Sequence, residues 1–460
     1  MPNDAPPGVP SILQPLHTDE YLPLPRTELQ QRAIDSTAEV SVDASQRVGA
    51  RSLRSYVDSQ RGTAAGLLSL NEAAGERYFE LPPEAGLDDG AAQAAFAKDG
   101  PVIDVQTHWV AQRPTLDVLR ENISFVYKIF KPDWWDGIDA LSTYNIAEYL
   151  KCVFVEAETD LAVITAAPGN EAGEMMLRND EMAGMRELFD RTAGTGRLLN
   201  HTVVRPNIGE AEKMAEWATT YRPVGWKVYT MGLMDDTALH PVAGTGWRLD
   251  DEHAGGALLD QARATGVKVI CAHKGLSGQV DAGSPEDVGP AAAAYPDLDF
   301  LIYHSGYEPG VAEVPYAPEA QDLGVNRLIK SVVGAGLGPG DNVYAELGST
   351  WFLLLSRPEE AAHAIGKLLL HLGEDNIVWG TDSIWYGPTQ PVLDAFRAFQ
   401  IPDELCERYG YPKLTPEAKR KILAGNAARV YGVDLEQLAM DVASDDLSWV
   451  NEVKAAYGAA

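Results

Sequence analysis

The chain has 460 residues, 45% of them hydrophobic and 23% charged, and carries a formal net charge of −30. That is an ordinary globular balance, long enough for one large barrel with additions or for two to three average domains. The acidity argues against nucleic acid and anionic membrane surfaces as partners, because both call for a basic patch.

Residues 1 to 100 read as an N-terminal extension. Pro2, Pro6, Pro7, Pro10, Pro15, Pro23 and Pro25 make its first part extended. Between Thr27 and Gly75 a weak helical pattern follows, with Leu29, Ala33 and Ile34, then Leu53, Tyr56 and Val57. An arm covering the main domain or a neighbouring subunit is the expectation, with a partly disordered leader as the alternative. Met1-Pro2-Asn3-Asp4 lacks the basic start of a secretory signal, and no apolar run approaches the roughly 18 residues that span a bilayer. Cys152, Cys271 and Cys406 are far apart with no Cys-x-x-Cys pair, so a reducing cytoplasm is expected rather than a disulfide framework.

From position 101 short β-rich runs alternate with longer helical ones. The strands are expected at 102–108, 161–165, 198–204, 224–229, 267–273, 300–304, 343–347 and 377–382. Helices are expected over Glu171–Arg191, Glu210–Tyr221, Asp250–Thr265, Pro358–Leu372 and Gln390–Phe399. Eight such units predict an α/β chain with parallel strands and right-handed crossovers, closed as a (β/α)₈ TIM barrel over 101–432 and followed by a helical tail over 433–460. The competing doubly wound sheet lacks its glycine-rich turn, because Val105-Gln106-Thr107-His108 stands where it would lie. The stretches Trp109–Asp160 and Gly306–Asp341 are too long for simple connections and are expected to be long loops over the C-terminal face.

The polar residues gather at strand ends. Gln106 and His108 end the first strand, His273 the fifth, His304 the sixth and Asp382 the eighth. Three imidazoles and a carboxylate on that face suit a divalent cation such as Zn²⁺ or Mn²⁺, which lowers the pKa of a bound water or polarises a carbonyl while an Asp or His shuttles the proton. Arg113 and Arg205 are candidates to hold a substrate carboxylate. Trp109, Trp134, Trp135, Trp385 and Tyr386 offer an aromatic wall, with Trp135 and Trp385 as the substrate-facing candidates. His201, set among apolar residues in the third strand, reads as a core histidine.

This ordered set resembles the amidohydrolase superfamily, in its amidohydrolase-2 branch that includes aminocarboxymuconate-semialdehyde decarboxylase. The resemblance rests on Asp104-Val105-Gln106-Thr107-His108 against Asp-x-His-x-His, on Ala272-His273, on Tyr303-His304-Ser305-Gly306, on Trp379-Gly380-Thr381-Asp382, and on Gly425-Asn426-Ala427-Ala428-Arg429-Val430-Tyr431. It implies one divalent metal held by His108, His273 and Asp382, with His304 orienting or deprotonating water or polarising the substrate. Gln106 departs from the pattern: an amide oxygen is a weaker donor than imidazole, which favours a harder ion such as Mn²⁺. Lys227, where binuclear members carry a carboxylated lysine, reads as structural or substrate-facing. A metal-dependent hydrolase of a small cyclic or aromatic substrate is therefore expected, with Asp382 receiving the proton. A non-oxidative decarboxylase is the alternative and a metal-poor binding protein the third reading. A homodimer with a small-molecule substrate completes the expectation.

Overall fold

The computed structural model describes residues 8–14, 25–111, 144–167, 169–233, 242–276 and 281–452. Eight strands run in sequence order around one sheet: β1 (Ile103–Thr107), β2 (Leu161–Ile164), β3 (Leu198–Val203), β4 (Gly225–Tyr229), β5 (Val269–His273), β6 (Asp299–Tyr303), β7 (Val343–Glu346) and β8 (Ile377–Val378). Each pairs in parallel with the next. The seam between β8 and β1 is closed by hydrogen bonds from Val105 N to Trp379 O (3.1 Å), His108 N to Ser383 O (2.8 Å) and Asp382 N to Gln106 O (2.9 Å). The fold is the expected (β/α)₈ barrel.

Its core follows the two-residue period of the strands. Val269, Cys271, Leu301, Tyr303 and Tyr344 share one buried cluster with Ala424, Ala427 and Ala428 of the closing helix Asn426–Tyr431 and the π-turn before it. Their alternates Ile270, Ala272, Phe300, Ile302 and Ala345 pack under the outer helices. The first set fills the barrel and the second seats the helices, as inward and outward faces must.

Several expected elements are shorter than the sequence suggests, among them the helix expected from Asp250, which begins at Ala254. β8 stops at Val378, and Asp382 beyond it turns the chain at φ 60°. Helix formation in the stretch 171–191 begins only at Asn179, where the Glu181 carboxylate accepts from Arg178 N at 2.8 Å and caps the start. The Glu210–Tyr221 stretch divides into a 3₁₀ turn, Glu210–Lys213, and the helix Met214–Thr220.

In the N-terminal stretch, helices Glu28–Arg47 and Gln60–Ala74 lie on the barrel and bury Ile34, Leu67 and Leu70 in its outer core. Thr27 starts the first as a capping box. Glu80 N donates to Ala398 O (2.7 Å), Gln400 N to Tyr78 O (2.8 Å) and Gln30 Nε2 to Ser356 Oγ (2.8 Å). At the other end, after the helix Leu435–Ser444, Trp449 packs on Phe189 (4.4 Å between ring centres). Asp445 there pairs with Arg197 at 2.9 Å. No helix among the described residues is long and apolar enough to cross a membrane.

Candidate active site

The end of β1 carries Gln106 and His108, both buried. Around them the chain brings His273 from β5, His304 from the end of β6, and Asp382 from the turn after β8. Gln106 Nε2 donates to Asp382 Oδ1 at 2.7 Å and lies 3.5 Å from His304 Nε2. His304 Nε2 is 3.1 Å from His273 Nδ1, and His108 Nδ1 is 3.8 Å from Asp382 Oδ1. The five strand-end residues singled out in the sequence therefore form one connected cluster.

The hydrogen bonds assign the protons. His304 Nδ1 lies 2.8 Å from the Gly348 carbonyl, an acceptor only, so Nδ1 carries the hydrogen and Nε2 keeps a lone pair. Burial, reinforced by the Lys227 charge, pushes His108 and His304 down to about 3, so both imidazoles stay neutral at physiological pH. Burial also lowers His273, with His304 and Lys227 adding to the effect. The carboxyls move the other way: burial pushes Asp382 up to about 6 against the opposing pull of Ser349 and Lys227, Asp104 up to about 7 and Glu346 up to about 8. A neutral imidazole lone pair beside a carboxyl that titrates near neutrality is an arrangement for moving protons.

Backbone strain gathers at the same place. His304 (φ 63°), Ser349 (φ 56°) and Asp382 (φ 60°) all occupy the left-handed region without being glycine. Glycine is needed where the backbone comes close. A Cβ on Gly380 would lie 1.8 Å from Glu346 Oε1, and one on Gly348 would lie 2.3 Å from Gln106 Oε1. These two glycines make room for the Glu346 carboxyl, which accepts from Gly348 N (2.6 Å) and His304 N (3.1 Å).

The donor set has the chemistry to hold a divalent cation. His108 Nε2 and Gln106 Oε1 are buried lone-pair atoms with no hydrogen-bond partner among the described residues, while Gln106 Nε2 and His108 Nδ1 are the atoms turned to Asp382 Oδ1. Among the described residues no three His, Cys, Asp and Glu side chains make a ready ligand group on their own. Turned over, the Gln106 amide brings its oxygen to His108 and Asp382 as the supplement to them, with His273 next to hand.

The cleft above this cluster, small and partly open to solvent, is lined by Gln106, His108, Thr165, Ala166, Ala167, Met176, Tyr229, Asp382 and Trp385. Trp385 lies 4.9 Å from the His108 ring. Tyr229 stacks on His273 at 4.3 Å. Arg205 corrects the sequence reading. Instead of facing the cleft, its guanidinium grips Glu210 (2.6 and 3.0 Å) and the carbonyls of Gly169 (2.7 Å) and Asn170 (2.6 Å), bracing two loops. Trp109 packs on Tyr149 in a core cluster, and Tyr386 stacks on Phe352. Arg113, Trp134 and Trp135 lie outside the described residues. His201 is a satisfied core histidine, 3.0 Å from Tyr431 OH and 3.2 Å from Tyr303 OH. Lys227 is buried with Nζ 3.4 Å from the centre of the Tyr303 ring. The sequence reading missed Ser349, whose hydroxyl donates to Asp382 Oδ2. Its only signal was the small polar run Gly348-Ser349-Thr350 at the C-terminal end of a strand.

Residues 103–433 match the family model described as Amidohydrolase, of the amidohydrolase-2 type. The chain belongs to this family, whose members are metal-dependent enzymes. No curated protein matches the sequence. Among solved structures, an uncharacterised TIM-barrel protein from Bordetella bronchiseptica is similar at 15% identity and a TM-score of 0.48, over 74% of this chain and 99% of that one. 5-Carboxyvanillate decarboxylase from Sphingomonas paucimobilis is similar at 16% identity and 0.43, over 73% and 100%. A dihydroxybenzoic acid decarboxylase from a Polaromonas species, with bound manganese and 2-nitroresorcinol, is similar at 15% identity and 0.43, over 74% and 99%.

Proposed function

We propose that the chain hydrolyses a small cyclic or aromatic substrate at a single divalent cation, Mn²⁺ or Zn²⁺, held by His108, Asp382, His273 and the Gln106 amide oxygen. When bound, such an ion lowers the pKa of water and polarises the scissile group. His304 Nε2, kept unprotonated by the Gly348 carbonyl, accepts from His273 Nδ1 (3.1 Å) and so leaves the His273 Nε2 lone pair for the ion. Asp382 takes the proton and returns it to the leaving group. Trp385, Tyr229 and Met176 give the substrate a flat apolar seat. The observation that carries this reading is the pairing of His304 with Asp382 across the Gln106 amide.

Decarboxylation is the second reading. It calls on the same Asp382, whose protonated form gives its proton to a ring carbon. Protein loaded with Mn²⁺ or Zn²⁺ should be offered a panel of lactones, cyclic amides and aromatic carboxylates, followed by NMR and by CO₂ release. Hydrolysis without CO₂ supports the first reading, and CO₂ from an aromatic acid replaces it with the second. A protein that takes up neither ion and turns over nothing is a binding protein. We keep two further proposals, a cytoplasmic location and a homodimer, the latter read by light scattering.

A further inference from the structure

We propose that the Gly348-Ser349 turn after β7 positions both His304 and Asp382, with Ser349 and Tyr386 as positioning residues for Asp382. The inference rests on the reading of this cluster as a metal-dependent site.

Asp382 has two carboxylate oxygens with different partners. Oδ1 faces Gln106 Nε2 (2.7 Å) and His108 Nδ1 (3.8 Å), on the side of the donor set. Oδ2 takes the Ser349 hydroxyl. That bond uses the only hydrogen on Ser349 Oγ, so the neighbouring Tyr386 hydroxyl must donate to Ser349. Tyr386 is in turn clamped by stacking on Phe352 at 4.0 Å with 16° between the ring planes. Phe352 sits on the helix Thr350–Leu355, which begins at the residue after Ser349. The path closes on itself: turn, helix, Phe352, Tyr386, Ser349 and Asp382. The same turn fixes His304, because Gly348 O accepts from His304 Nδ1 (2.8 Å) and Thr350 Oγ1 donates to His304 O (2.8 Å).

The backbone supplies an independent argument. At φ 56° serine is disfavoured where glycine would be at ease. Glycine would serve the turn at lower cost, whereas Ser349 brings a hydroxyl to a carboxylate oxygen that has no other hydrogen-bond partner among the described residues. Its role can thus be separated from stability. Ser349→Gly relieves the backbone and removes the hydroxyl in one change.

The experiment compares the full-length wild type with Ser349→Gly, Ser349→Ala and Tyr386→Phe, by equilibrium dialysis against Mn²⁺ and by thermal melting. Ser349→Gly should melt at or above the wild-type temperature while binding Mn²⁺ about tenfold more weakly, the lower end for loss of a partner that orients a ligand. Ser349→Ala should lose as much affinity, and Tyr386→Phe should fall between it and the wild type. A Ser349→Gly protein with wild-type affinity overturns the proposal. If the wild type itself takes up neither Mn²⁺ nor Zn²⁺, the metal reading fails. The positioning claim is then decided by the crystal structure of metal-free Ser349→Gly: Asp382 turned away from Gln106 supports it, and Asp382 unmoved overturns it.

Discussion

Gln106→Glu puts a second carboxylate where the amide now donates. The donor nitrogen is 2.7 Å from Asp382 Oδ1, so the substitution sets two carboxylate oxygens at that separation. Two full charges so placed repel by about 6 kcal/mol at an effective dielectric of about 20. The pair has a cheaper escape, which is to keep one proton between them. Asp382 titrates at about 6 in the native chain. Holding its proton at pH 8 therefore costs about 3 kcal/mol, and at pH 5 nearly nothing. The metal-free variant should melt close to the wild type at pH 5 and several degrees below it at pH 8. A divalent cation neutralises the same repulsion, so Mn²⁺ should raise the melting temperature of the variant more than that of the wild type and bind it more tightly. Differential scanning calorimetry at both pH values, with and without Mn²⁺, reads all four quantities. Equal melting temperatures at pH 8 together with equal Mn²⁺ affinity would refute the placement of Gln106 against Asp382.

Three further outcomes follow from the geometry. Glu346 is held protonated up to about 8, against 4.5 ordinarily, so the native state binds more protons than the unfolded chain across that interval and wild-type stability falls as pH climbs through it. The shift corresponds to a ceiling of about 5 kcal/mol, and Glu346→Gln should flatten the fall in melting temperature between pH 5 and pH 9; parallel curves would count against the buried carboxyl. Gly380→Ala brings a methyl to 1.8 Å from Glu346 Oε1 and should destabilise the fold while displacing the Glu346 carboxyl, visible as a lower melting temperature and a changed histidine ¹⁵N spectrum. Arg205→Ala leaves the buried Glu210 carboxylate with only the residue-205 N–H and Lys213 (3.7 Å) and should cost about 3 kcal/mol with Mn²⁺ affinity unchanged; a large loss of affinity at full stability would return Arg205 to the site.

The eight strands and the helices between them were legible in the sequence because strand and helix periods are local, and the barrel follows from their alternation. His108, His273, His304 and Asp382 were legible for the same reason, since each stands at the end of an apolar run whose register is set by the core. Partnerships across the barrel were not. Gln106 and Asp382 are 276 residues apart, and nothing near either one says that an amide hydrogen will bind that carboxylate. Ser349 carries no periodic signal at all; its hydroxyl meets Asp382 because a turn at φ 56° ends β7 and the closed barrel sets that turn against the end of β8. Arg205 shows the converse. A strand-end arginine suggests a carboxylate ligand, yet Glu210, five residues on and brought round by a 3₁₀ turn, takes its guanidinium first. Local pattern determined which residues arrive at the C-terminal face. Only closure of the barrel decided which of them touch, because hydrogen-bond partners are chosen by distance in space and the chain's order along the sequence does not encode it.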